Sequence, residues 1–195
     1  MDQIVIVAAS LVTGADVPAA RLGVRFGRMD LASQLALLAV EALGLDFQAW
    51  PRDRIGICLA ARAGSLAADL EFWSGRDAVG GPSPTLFAYT LPSAAVGEIA
   101  IRHRITGPNL CLVGGDTALR EAADWLRRGE ADACLCLWSD VVTPALADLI
   151  RAPPAARAGA VFLQRGGPGR ELQENDRDIQ ALCAVACART SANSV

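Results

Sequence analysis

The chain has 195 residues, 52% of them apolar and 5% aromatic, with a formal charge of −3. That length suits one domain burying about 70% of its unfolded surface, and the composition excludes a disordered chain. All 18 basic residues are arginine, which leaves no basic footprint for nucleic acid and no lysine for a phosphate loop or a Schiff base.

The N-terminal stretch MDQIVIVAAS lacks the positive region of a signal peptide. No apolar run approaches the ~18 residues that span a bilayer. A cytoplasmic protein with no membrane span is the expectation. The cysteines, Cys58, Cys111, Cys134, Cys136, Cys183 and Cys187, form no C-x-x-C pair. The first four lie in apolar strand candidates, where free cysteine behaves as a small hydrophobe. Cys183 and Cys187 stand at i,i+4 without a second pair of ligands, so no metal and no cofactor is expected.

Ile4 to Ala9 is a continuous apolar run and predicts a buried strand. Residues 10–28 are irregular. Asp30 then caps a helix whose predicted face is Leu31, Leu35, Leu38 and Ala42, ending at Gly44. A second strand is expected over Ile55 to Ala60. Gly64-Ser65 opens a helix with Leu66, Leu70 and Trp73 on one stripe. Ser74 to Pro84 reads as a loop.

A helix from about Ser93 places Val96, Ile99, Ala100 and His103 at helical spacing and is expected to stop at Gly107-Pro108. Asn109 to Val113 is a short strand, followed by Gly114-Gly115 and a helix from Asp116 to Arg128 with the stripe Ala118, Leu119, Ala122, Trp125 and Leu126. Further strands are expected at Ala133 to Trp138 and Ala158 to Gln164, with a short helix between them. The chain divides into a domain over 1–165 and a polar linker with a tail or short helix over 166–195. Alternating strands and helices predict an α/β fold, a mostly parallel five-stranded sheet with helices on both faces. No G-x-G-x-x-G or phosphate-loop spacing is present.

A strand, a glycine turn and a helix start is a device that stabilises negative charge at the first-turn N–H groups. Asp116 stands there. Its simplest role is to cap the helix; the other reading is a catalytic carboxylate, for which no partner base is visible. His103 reads as a half-buried residue on its helix, the alternative being an acid or base. Cys111 reads as core, the alternative being a displaced nucleophile. Phe87 and Tyr89 read as packing residues.

Five segments together resemble the N-terminal half of a β-ketoacyl synthase. They are RIGICLAA, LPSAAVGEIAIRHRITGP, NLCLVGGDTAL, ALREAADWLRRGEADACLCLWSD and AGAVFLQR. The resemblance covers about residues 4–165 and implies a thiolase-like half-fold. Counted from Gly107-Pro108, the family's nucleophilic cysteine falls on Asp116. The family's further catalytic residues, two histidines or a histidine and an asparagine, come from a C-terminal half, and the only histidine here, His103, lies upstream of the turn. The resemblance therefore implies a non-catalytic, chain-length-factor-like subunit of fatty-acid, polyketide or aryl-polyene-type biosynthesis. It would dimerise through strand 109–113 with a full-length ketosynthase, with itself, or both, and help shape the acyl pocket. Leu86, Phe87, Tyr89, Leu110, Cys111 and Leu112 would line that interface and pocket, and an acyl carrier protein is a further implied partner. Two other readings stay open: an acyl transferase or hydrolase of the same fold with a non-standard nucleophile, and a homodimeric module that binds acyl chains or acyl carrier protein.

Overall fold

The computed structural model describes residues 3–77, 79–113, 117–173, 175–176 and 178–192. Its strands are β1 (Ile4–Thr13), β2 (Ile55–Ala61), β3 (Asn109–Val113), β4 (Ala133–Val142), β5 (Ala155–Arg165) and β6 (Arg170–Glu171). Its helices are α1 (Leu31–Glu41), α2 (Leu66–Ser74), α3 (Pro84–Phe87), α4 (Ala94–His103), α5 (Thr117–Arg128), α6 (Ala147–Ile150) and α7 (Ile179–Ala192).

All six strands form one sheet in the order β3-β2-β4-β5-β1-β6. β2 runs parallel to both β3 and β4. β5 runs antiparallel to β4 and to β1, and β6 antiparallel to β1. The sheet is thus mixed, with a sixth strand, where a mostly parallel five-stranded one was expected. The reason is the link from Val142 to Ala155: its short helical turns let the chain return beside β4 in the opposite sense instead of crossing over.

Side-chain alternation explains why both central strands are buried throughout. Ile55, Ile57 and Leu59 of β2, with Leu135 and Leu137 of β4, pack toward α1 and α4. Cys58, Cys134 and Cys136 face the opposite side, toward α5 and α7. Helices on both faces keep β2 and the Ala133–Trp138 part of β4 apolar on both sides. The smaller side chains face α5 because Trp125 lies close: a Cβ on Gly56 would sit 3.0 Å from its ring.

Local signals set several boundaries. The Asp30 carboxylate accepts from the backbone N–H of Ala32 at 3.1 Å and of Ser33 at 3.2 Å, capping α1 as expected. The buried side of α1 is Leu35, Ala36, Leu37, Ala39 and Val40, whereas Leu31 is exposed; the helix is rotated from its predicted face. α4 ends at Arg104, in the left-handed conformation with φ 56°, before the expected Gly107-Pro108. Gly107 has another task. It crosses the start of β2 so closely that a Cβ would stand 2.3 Å from the Ile55 carbonyl oxygen. Its N–H donates to the Arg52 carbonyl, and Ile57 N–H donates to the Pro108 carbonyl at 2.9 Å, which registers β3 against β2.

Candidate functional site

β3 is the end of the sheet order. It pairs with β2 from Ile57↔Asn109 to Ala61↔Val113, and no strand covers its other side among the described residues. Leu110 reaches the core beneath α5, and Cys111 the core beneath α4. Leu110, Cys111 and Leu112 are half-buried, and Val113 is 64% exposed. None of the five residues is charged. An uncovered apolar edge with no charged guard is an invitation to pair with another chain.

Gly114, Gly115 and Asp116, which follow β3 in the sequence, lie outside the described residues, so the cap and catalytic readings of Asp116 both stand as stated. α5 follows at Thr117, with its expected stripe buried.

The other expected site residues lie on and beside α3. Leu86 is half-buried and Phe87 is 61% exposed. The Phe87 ring meets Phe72 of α2 at 5.3 Å between centroids. Tyr89 is 8% exposed and donates its hydroxyl inward to Glu98 Oε1 at 3.1 Å. Sequence reasoning missed Leu70, Phe72 and Trp73 at this place. Leu70 and Trp73 belong to the expected stripe of α2, with Leu66, but that stripe faces outward, and the buried residue of the helix is Ala68. With Leu66 and Phe87 they line a groove of 370 Å³.

Four of the described thiols are held in their protonated form by burial. Burial pushes the Cys58 and Cys134 thiols up to about 12, Cys136 well above the usual thiol value, and Cys111 upward too. Thiols in such surroundings are protonated near neutrality and inert. His103 packs edge-on against Phe47, with ring centroids 4.8 Å apart. Its Nε2 lies 3.5 Å from Glu41, a carboxylate supplied by α1 that helical spacing did not disclose. Burial lowers the His103 pKa, with Arg102 and Arg52 acting in the same direction and Glu41 opposing. Among the described residues no group of three His, Cys, Asp or Glu is arranged to hold a metal ion, and no helix is long and apolar enough to cross a membrane.

The sequence model described as "Beta-ketoacyl synthase, N-terminal domain" matches residues 16–147. The chain belongs to the β-ketoacyl synthase family. No curated protein sequence matches it. Among solved structures, this synthase-family chain is similar to the ishigamide ketosynthase/chain length factor, with 20% identity and a TM-score of 0.69 over 96% of this chain and 72% of that one. It is also similar to the ketosynthase ApeO in complex with its chain length factor ApeC from Xenorhabdus doucetiae, with 17% identity and a TM-score of 0.63 over 85% and 80%. A third similar structure is AntDE:AntF, a type II polyketide synthase acyl-carrier protein in complex with its ketosynthase bound to the hexaketide. There the identity is 16% and the TM-score 0.67, over 85% of this chain and 63% of that one. At these identities the likeness is one of fold, and it carries the expected thiolase-like architecture.

Proposed function

We propose that this chain is a non-catalytic, chain-length-factor-like subunit that pairs through β3 with a ketosynthase and helps shape its acyl pocket. The observation that carries the reading is the uncovered apolar edge of β3 in a synthase-family fold. Similar folds occur in structures of ketosynthases with their chain length factors, which favours a ketosynthase as the subunit that covers that edge.

The inert thiols support the non-catalytic half of the proposal. Condensation needs an acylated nucleophile and a base beside it. The one histidine of the chain is packed between Phe47 and Glu41, where no described thiol shares a hydrogen bond with it. Asp116, at the family's nucleophile position, would give a mixed anhydride, a poor acyl carrier.

The test is co-expression with a ketosynthase from the same gene neighbourhood, followed by size-exclusion chromatography and product analysis. A stable heterodimer is expected, with condensation only when the ketosynthase is present. A monodisperse monomer that ignores the ketosynthase, or robust condensation by the isolated chain, would overturn the reading.

A further inference from the structure

At the end of the sheet away from β3, β1 is covered only along its first residues. β6 pairs with it at Val5↔Glu171 and Ile6↔Arg170, and the Leu172 N–H donates to the Ile4 carbonyl at 2.9 Å. From Val7 on, no strand lies on that side of β1 among the described residues. Val7 is the extra residue of a bulge, since Ile6 faces Leu163 and Ala8 faces Phe162 across β5. Residues 6–13 carry no charge. Beside this open stretch stand Ala181, Leu182 and Val185 of α7, and between them lies a trough of 480 Å³, within the roughly 300–1,000 Å³ of binding clefts.

The chemistry of the walls selects the occupant. A bare strand edge offers backbone N–H and C=O groups that an extended peptide matches group for group. Both strands already beside β1 run antiparallel to it, so an added one continues the line that β6 begins. A bulge twists an edge and hinders a second flat sheet from stacking on it; a single extended segment follows the twist. At the Ile6 end, where Arg170 stands, the trough turns polar. Asp176 accepts from Arg170 Nη1 at 2.9 Å and from the Gln173 N–H at 2.9 Å. Asp178 accepts from the N–H groups of Gln180 and Ala181 at the start of α7. Two carboxylates against one guanidinium leave the described rim negative, which favours a cation there.

We infer that β1 binds an extended apolar segment of another protein beside α7, added as an antiparallel strand with an arginine or lysine at the end held by Asp176 and Asp178. In the antiparallel sense that basic residue follows the apolar ones in the partner's sequence. Alternate side chains of the segment enter the trough over Ile6, Ala9 and Leu182, which share the α7 side of the sheet. Its amides pair with the backbone that β6 leaves open. The site lies at the opposite end of the sheet from β3 and is independent of any pairing there.

Fluorescence anisotropy with labelled peptides tests this, with no ketosynthase present. The probe is Thr-Val-Thr-Val-Arg amide. One control carries Glu in place of Arg, and the other carries two adjacent prolines at its centre. The arginine probe is expected to bind saturably and to slow hydrogen exchange at the amides of Val7 to Ala9. The glutamate control should bind about tenfold more weakly. The proline control should lose about thirtyfold, because one of two adjacent prolines falls where an N–H must pair. Asp178→Asn still caps α7 and should erase most of the preference for arginine. Ala181→Phe, at an exposed position, should keep the wild-type melting temperature and lose the probe. Equal binding of the proline control would overturn strand addition. Probe affinity unchanged by Ala181→Phe, or no saturable binding by the wild-type chain, would overturn the site. A dimer of the chain that protects the same amides and is dissolved by Ala181→Phe would overturn the choice of occupant.

Discussion

Tyr89 and Glu98 share a buried hydrogen bond, the phenol donating to Oε1 across 3.1 Å. Arg25 closes on the same carboxylate, Nε to Oε2 at 2.5 Å and Nη2 to Oε1 at 3.0 Å. Glu98 is itself 8% exposed, so a carboxylate sits inside the α4 face only because two donors reach it. The trio ties the irregular segment before α1 to α4 and fixes the chain just after α3. Tyr89 is thereby tied inward, while Phe87, two residues earlier, is exposed and lines the groove.

Glu98→Ala should therefore destabilise the fold by about 2 kcal/mol, because the buried Tyr89 hydroxyl loses its acceptor. Tyr89→Phe should cost less, about 1 kcal/mol, since Glu98 keeps Arg25. Urea unfolding followed by circular dichroism measures both. Wild-type stability in the two variants would mean that the network contributes nothing.

Gly159 is as tightly enclosed as Gly107. A Cβ there would sit 2.5 Å from the Trp138 Nε1 and 2.7 Å from the Cys183 Sγ. This notch lets α7 lie against β5, where the Cys183 thiol donates to the Ala160 carbonyl at 3.6 Å. Gly159→Ala should overpack the site, cost about 1–3 kcal/mol and make the segment after Asp178 an early target of limited proteolysis. Adding Cys183→Ala should recover part of the loss, because it removes one of the two obstructions. Unchanged proteolysis in the single variant would show that α7 docks without the notch.

His103 supplies a pH dependence whose sign follows from its surroundings. Burial lowers its pKa below the ordinary value, Arg102 and Arg52 reinforce the shift, and Glu41 opposes it. The unfolded chain then binds the proton more readily than the folded one. The contribution is fully present above about pH 6.5 and is lost as pH falls through the window between that value and the lowered one. His103→Gln should flatten this part of the profile of melting temperature against pH. A wild-type profile that rises on acidification through the same window would reverse the assignment.

Much of the architecture was legible because buried strands announce themselves as apolar runs. β3 was bounded correctly, flanked by Pro108 and Gly114, and the α5 stripe faced inward as read. The ends of the long strands were not legible. β4 continues through Ser139 and Asp140, past the expected end at Trp138; in the fold Asp140 pairs with Arg157 in register and accepts from the Arg62 N–H at 2.7 Å. Strand direction was hidden as well, since the turns after β4 look alike whether the chain crosses over or doubles back. The α2 stripe shows the limit of periodicity. It establishes that Leu66, Leu70 and Trp73 share a side, but not that the opposite side, rich in alanine, is the one that fits the core.

The sequence resemblance sets the family's nucleophile position at Asp116, and replacing it separates a missing nucleophile from a missing site. Asp116→Cys should not restore condensation of malonyl and acyl thioesters by the isolated chain, because the one histidine of the chain is held against Phe47 and Glu41 and does not serve as its base. Product analysis by mass spectrometry reads this directly. Turnover by the cysteine variant alone would mean that the rest of a synthase site is present.

The β3 edge makes the last prediction. Leu110 and Leu112 lie half-buried on a strand bonded on one side, so a partner strand would complete their burial as well as the backbone pairing. A biological contact built there should exceed about 1,000 Å². A charge at either position would meet that partner's apolar face unpaired, at a cost of several kcal/mol. Leu110→Glu or Leu112→Glu should therefore abolish assembly with the ketosynthase in size-exclusion chromatography. The same charge also guards the free edge, so the variant chain should aggregate less than the wild type when purified alone. By contrast, enlarging or shrinking Leu86 or Phe87 should change the length of the ketosynthase product without stopping turnover. An intact heterodimer carrying glutamate at residue 110 would show that the partner does not pair with this strand.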